Sequence, residues 1–92
     1  MKIPELQRQT RDLRINRSCT AAQLVLVDGS FLHFRADQFS HWVQASPGQA
    51  QGLQADIAGF SLSRHALELT WAGGGAARIV RGSFRVRVEE AQ

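Results

Sequence analysis

The amino-acid sequence predicts an all-β chain: a small antiparallel β-sandwich, curled sheet or open barrel of about six or seven strands. Three observations support this. Apolar and polar residues alternate over several short stretches, the period of a strand with one face turned inward. Turn-forming residues punctuate those stretches at Asp28-Gly29, Ser46-Pro47-Gly48, Gly73-Gly74-Gly75 and Gly82-Ser83. The chain has 92 residues, enough to bury about 64% of its extended surface in one modest core and too few for two ordinary domains.

The opening segment, residues 1–12, reads as a basic N-terminal arm or short helix, and residues 13–90 as a single β domain. Arg8, Arg11, Arg14 and Arg17 recur every three residues, a spacing that places them along one side of a helix, while Asn16 and Ser18 argue against a long one. Leu13 and Ile15 lead into the first strand. Gln23 to Val27 and Ser30 to Arg35 flank Asp28-Gly29 as the arms of a hairpin. In the second arm Leu32 and Phe34 face away from Phe31, His33 and Arg35. Phe39, His41 and Val43 alternate with Ser40, Trp42 and Gln44 in a further strand with apolar groups on both sides.

Residues 45–54 hold Ser46, Pro47, Gly48, Gly52 and several glutamines, the composition of an exposed loop. Beyond it Ile57, Phe60 and Leu62 form an interrupted apolar pattern with Gly59 at a bend. Leu67, Leu69 and Trp71 alternate with Glu68 and Thr70 as a one-faced strand. The three glycines at 73–75 lack the Gly-Lys-Ser or Gly-Lys-Thr ending of a phosphate loop and read as a hairpin connection. Ile79 and Val80 begin another strand. Phe84, Val86 and Val88 then form a dry face opposite Arg85, Arg87 and Glu89, with Gly82 and Ser83 as a turn or bulge before them.

Lysine and arginine total 11 against 8 acidic residues, a formal charge of +3. Ten of the 11 are arginine, the side chain suited to planar two-point contact with carboxylate or phosphate. The single cysteine, Cys19, excludes an intramolecular disulfide and a cysteine-rich metal site. The first residues lack the apolar run of a secretory signal, and no stretch is long and apolar enough to span a bilayer. A cytoplasmic location and no membrane partner are the expectations.

Three histidines, His33, His41 and His65, could share a metal only if the fold brought three separate strands together, and no His-x-His or His-Glu-x-x-His motif demands it. Asp28 is explained by its turn, Glu68 by a polar strand face, and Glu89 and Glu90 by a solvated end. Cys19 has no elbow or oxyanion loop to prepare it as a nucleophile. No cofactor and no catalytic function are expected.

Two function classes remain. The first is a non-catalytic protein-binding or homo-oligomeric assembly module, regulatory or structural, in which an edge strand or an apolar patch containing Phe31, His33 and Trp42 meets a second copy or another protein. The alternative is a small basic protein that binds single-stranded nucleic acid through Arg8, Arg11, Arg14, Arg17, Arg78, Arg81, Arg85 and Arg87 with exposed aromatics. The distribution of arginines separates them: one continuous basic face favours nucleic acid, whereas dispersed arginines around an apolar patch favour assembly.

Overall fold

The computed structural model describes residues 3–82 and 85–91. Within them lie two four-stranded antiparallel sheets, a small β-sandwich with two short helices. Helix α1 (Ile3–Gln9) leads into β1 (Thr10–Ile15), β2 (Ala21–Leu26), β3 (Phe31–Ala36) and β4 (His41–Ala45), paired in that order. Helix α2 (Gln49–Asp56) leads into β5 (Ile57–Leu62), β6 (Ala66–Trp71), β7 (Ala76–Val80) and β8 (Arg87–Glu90), again paired in order. Eight strands form where six or seven were expected, because Thr10–Ile15 is a complete strand.

The alternation read from sequence sets the inner faces. Leu24, Leu26, Leu32 and Phe34 from one sheet, and Leu67, Leu69, Ile79 and Val88 from the other, are buried in a common core. Phe34 meets Phe60 edge to face at 5.0 Å between ring centroids, joining the two layers. Leu32 and Phe34 point inward while Phe31, His33 and Arg35 are exposed, as the hairpin reading requires. Val86 and Val88 are likewise buried; the expectations for Ser83 and Phe84 lie outside the described residues.

The two halves repeat one another in backbone. From Ala21 onward, each residue matches the one 45 positions later (Ala21 with Ala66, Leu24 with Leu69, Gly29 with Gly74). Before that the offset is 47 (Leu6 with Leu53, Gln7 with Gln54), because the β1–β2 loop is two residues longer than the β5–β6 turn. The hydrogen bonds follow the same offsets. Leu26 N donates to Ser30 O at 2.8 Å, and Trp71 N to Gly75 O at 3.1 Å. Val27 N donates to Gln9 O at 2.8 Å, and Ala72 N to Asp56 O at 2.9 Å. Ala36 N donates to Thr20 O at 2.8 Å, and Arg81 N to His65 O at 2.9 Å. A bulge interrupts β1 between Thr10 and Asp12 and β5 between Ile57 and Gly59. Gly29 and Gly74 occupy the same hairpin position with φ of +88° and +96°, backbone that a side chain would strain.

Each helix is exchanged between the halves. α1 precedes the first sheet but packs on β8 of the second, and α2 precedes the second sheet but packs on β4 and β3 of the first. Leu6 and Leu53 are the matched apolar anchors, both fully buried. The glutamines beside them reach the edge strands. Gln54 Nε2 donates to Val43 O at 2.7 Å. On β8, Val88 N donates to Gln7 Oε1 at 2.6 Å, and Gln7 Nε2 donates to Val86 O at 3.4 Å. A carboxamide thus occupies peptide groups that a neighbouring strand could otherwise bind.

The sequence readings of the helical segments need correction. Residues 45–54 are not an exposed loop throughout, since α2 begins at Gln49 and buries Ala50 and Leu53. Its start has no side-chain cap from Gly48. The turn between β2 and β3 supplies one instead: Gln49 N donates to Asp28 Oδ2 at 3.0 Å and Ala50 N to Ser30 Oγ at 3.1 Å. For the N-terminal segment the short-helix alternative is the one found, α1 being packed through Leu6; the first strand starts at Thr10 rather than 13. Arg8, Arg11, Arg14 and Arg17 do not share a helical face; they fall on α1, β1, β1 and the following loop. Phe39 and Ser40 precede β4, and Phe39 is 86% exposed.

Two outcomes follow from this architecture. Leu53→Ala should destabilise the whole chain by about 2–5 kcal/mol in urea unfolding, the range for a truncated buried leucine, with one cooperative transition for both sheets. An unchanged midpoint contradicts the anchoring role. The Asp28 carboxyl is held below the ordinary value of 3.8, chiefly by the Gln49 N–H and then by Ser30. Its contribution is therefore complete above pH 3.8 and is lost as pH falls through the lower folded-state value. Asp28→Asn should weaken that acid-side loss in thermal melts recorded from pH 5 downward; an identical acid profile in both proteins contradicts it.

Candidate functional site

The outer faces of the two sheets differ in chemistry although their backbones match. On the second sheet, antiparallel register places Arg78 between Glu68 on β6 and Glu89 on β8. Its guanidinium lies 3.5 Å from the first carboxylate and 3.3 Å from the second. Arg87 also approaches Glu89, at 3.6 Å. The charge of Arg78 is thus balanced by its neighbours, so the run from Arg78 to Arg87 does not form one uniform basic strip.

On the first sheet the outer face is aromatic. β3 and β4 pair Arg35 with Trp42 and His33 with Gln44. His33 and Trp42 consequently meet edge to face with ring centroids 5.3 Å apart. Phe31 stands on the same face and is 36% exposed. The fold therefore brings Phe31, His33 and Trp42 onto one surface, the grouping expected of a protein interface. Arg35 beside them is paired with Asp37 at 2.9 Å. The Asp37 carboxyl also accepts from the N–H groups of Phe39 and Ser40; these contacts, the Phe39 N–H first and Arg35 next, hold it below its ordinary range. A cleft of about 300 Å³ opens between β4 and β5, with His41, Trp42, Val43, Ile57 and Phe60 among its lining residues.

The unbalanced arginines gather elsewhere. A cleft of about 490 Å³ is lined by Gln7, Val80, Arg81, Gly82, Arg85, Val86 and Arg87. A second of about 500 Å³ is lined by Ile15, Asn16, Arg17, Arg64, His65 and Arg81. Arg81 lines both, so the two adjoin at that residue and together make an arginine lane. Among the described residues neither wall contains a carboxylate. Arg17, Arg64, Arg81 and Arg85 have no acidic partner among the described residues, and Arg81 Nη2 is instead steadied by the Arg64 carbonyl at 3.2 Å.

The second cleft lies where the halves meet. Arg17 and Arg64 are matched positions of the two repeats, each two residues past its strand β1 or β5, and they face the same space from opposite halves. Arg64 had no signal in the sequence beyond a charged residue in a short Ser-Arg-His turn. Of the arginines expected to contact nucleic acid, the lane gathers Arg17, Arg81, Arg85 and Arg87. It leaves out Arg78, Arg8, Arg11 and Arg14, the last paired with Asp12 at 3.2 Å.

The histidines do not assemble. His33 stacks with Trp42, His41 lies near Phe60 at 6.2 Å, and His65 faces the arginine lane. No group of three or more histidine, cysteine, aspartate or glutamate residues suited to a metal occurs among the described residues. Cys19 is a half-buried free thiol in the β1–β2 loop, with φ of +57°. No helix among the described residues is long and apolar enough to cross a membrane.

Uncompensated charge in the lane makes stability depend on salt. Arg85→Gln should raise the thermal midpoint by about 1–4 °C at low ionic strength, a surface-charge effect in a domain of this size, and the gain should vanish in high salt. Equal midpoints at low salt contradict repulsion within the lane. Comparison with protein-family models, curated proteins and solved structures finds no match, so the chemistry of these surfaces carries the functional reading.

Proposed function

We propose that this protein is a non-catalytic binding module for single-stranded nucleic acid, with the lane formed by Arg17, Arg64, Arg81, Arg85 and Arg87 as its backbone-binding surface. The observation that carries this reading is that two adjoining clefts, sharing Arg81, are lined by five arginines and, among the described residues, by no carboxylate. Guanidinium groups donate in a planar fork that matches phosphate oxygens, and their release of counterions on binding drives association. A concave lane admits a single strand whose phosphates follow the groove, and guanidinium planes and His65 offer surfaces against which bases can lie.

A second reading, a homo-oligomeric or protein-binding module, is favoured by the grouping of Phe31, His33 and Trp42 on the outer face of the first sheet. The arginine lane is preferred because all of its arginines except Arg87 lack an acidic partner among the described residues, whereas two of the four strand edges, those of β4 and β8, already carry the carboxamides of Gln54 and Gln7.

Fluorescence anisotropy with a mixed-sequence single-stranded oligonucleotide, titrated over a range of salt, tests the proposal. Binding should weaken steeply with salt, and Arg81→Gln with Arg85→Gln should reduce the logarithmic salt slope by about 0.7 for each lost phosphate contact. Trp42→Ala should leave the slope unchanged. A stable oligomer in light scattering that ignores the oligonucleotide and dissociates in Trp42→Ala transfers the function to the aromatic face.

A further inference from the structure

We infer that the seam cleft between the two repeats recognises the terminal phosphate monoester of a nucleic-acid strand, and that the lane leading to it holds the diester backbone. This rests on the nucleic-acid reading above and assigns a distinct ligand group to one end of the lane.

The two clefts present their charge differently. Arg81, Arg85 and Arg87 follow the end of β7 and the start of β8, a succession along the chain suited to a running backbone. In the seam cleft, Arg17, Arg64 and Arg81 instead come from the β1–β2 loop, the β5–β6 turn and the end of β7. His65 lines the same cleft. Three guanidiniums from separate elements around one space suit a compact group of high charge. A monoester carries a charge of about −1.5 to −2 near neutrality and three terminal oxygens. An internal diester offers one charge and two free oxygens, fewer acceptors than the donors gathered there.

The far wall closes the lane. Ile15 contributes an apolar side chain. Asn16 is consumed within its own loop: its Oδ1 accepts from Thr20 N at 2.9 Å and Ala21 N at 3.1 Å, and its Nδ2 donates to Thr20 Oγ1 at 2.9 Å. Ile15 offers no side-chain donor and Asn16 only one remaining Nδ2 hydrogen, so neither adds a charged contact for a further phosphate. The basic surface thus ends in the cleft whose three arginines come from three separate elements, the arrangement expected where a strand terminates.

The repeat supplies an internal comparison. Identical residues at matched positions elsewhere have structural reasons: Leu6 and Leu53 anchor the helices, Gln7 and Gln54 cap the edges, and Gly29 and Gly74 turn the hairpins. Arg17 and Arg64 are exposed, with no side-chain hydrogen bond or ion pair among the described residues to require arginine. Convergence on a shared anion from opposite halves gives both the same role.

The test uses the full chain and three versions of one single-stranded oligonucleotide: both ends hydroxyl, a 5′-phosphate, and a 3′-phosphate. One phosphorylated form should bind about ten-fold more tightly than the hydroxyl form, the yield of one added charge-assisted contact. Arg64→Gln and Arg17→Gln should each bring that ratio close to one, whereas Arg85→Gln should weaken all three forms and keep the ratio. Thermal melts confirm that the variants fold. Salt-sensitive binding of equal strength to all three oligonucleotides overturns the terminal-phosphate assignment and leaves the nucleic-acid reading standing. Absence of binding to any of them overturns both.

Discussion

The reciprocal docking of the two helices is the constraint on which the remaining structure depends. Neither four-stranded sheet completes its own cover. The first borrows α2 and the second borrows α1, with Leu53 and Leu6 as buried anchors and Gln54 and Gln7 on the strand edges. Burial of the leucines supplies apolar stabilisation, while the carboxamides supply the donors and acceptors that an edge strand needs in place of water. Because each half seals the other, the halves share one buried core. The β1–β2 loop and the β5–β6 turn adjoin at the seam, where Arg17 and Arg64 line one cleft.

On this repeated frame the side chains have diverged in a compensated manner. Ala22 matches Leu67, and Leu32 matches Ala77, so a small residue in one half stands where the other has a large one, at two buried positions of opposite sense. Core volume is thereby shared between layers rather than fixed position by position. Charge is not shared in the same way. Ala36, Asp37 and Ser40 in the first half match Arg81, Gly82 and Arg85 in the second. One half keeps Arg35 neutralised by Asp37, while the other concentrates unpaired guanidiniums at the corresponding corner. Two equivalent backbones consequently present an aromatic surface and an arginine-rich one.

The hairpins were legible because local chemistry and core packing agree there. Asp28-Gly29 lies between strands whose alternate residues are buried, and Leu67, Leu69 and Trp71 turn inward as their spacing requires. α2 was hidden because its capping groups, Asp28 and Ser30, come from a turn some twenty residues earlier, on the order of several helical turns of chain away, while Gly52 weakens its own helical propensity. The three-residue recurrence of arginines crossed a junction between helix and strand and so imitated a helical face. The repeat escaped notice because backbone pairing preserves it while most matched side chains differ. Arg81, Arg85 and Arg87 stood out by density; Arg64 did not, since its relevance arises from a fold that brings it opposite Arg17. The balancing of Arg78 by Glu68 and Glu89 required the cross-strand register.

The bond between Gln7 and β8 joins residues 81 positions apart, which has a bearing on the order of events during synthesis. α1 emerges well before the strand that covers it, so Leu6 and the Gln7 carboxamide wait for β8 to arrive. Slow, non-local closure of this kind leaves a partly made chain with apolar surface exposed. The seam cleft, which needs β1, β5 and β7 in place, comes into being only late in this sequence. Assembly of that cleft is therefore coupled to synthesis through the end of β7: a chain that stops short of Arg81 lacks one of the elements that line it.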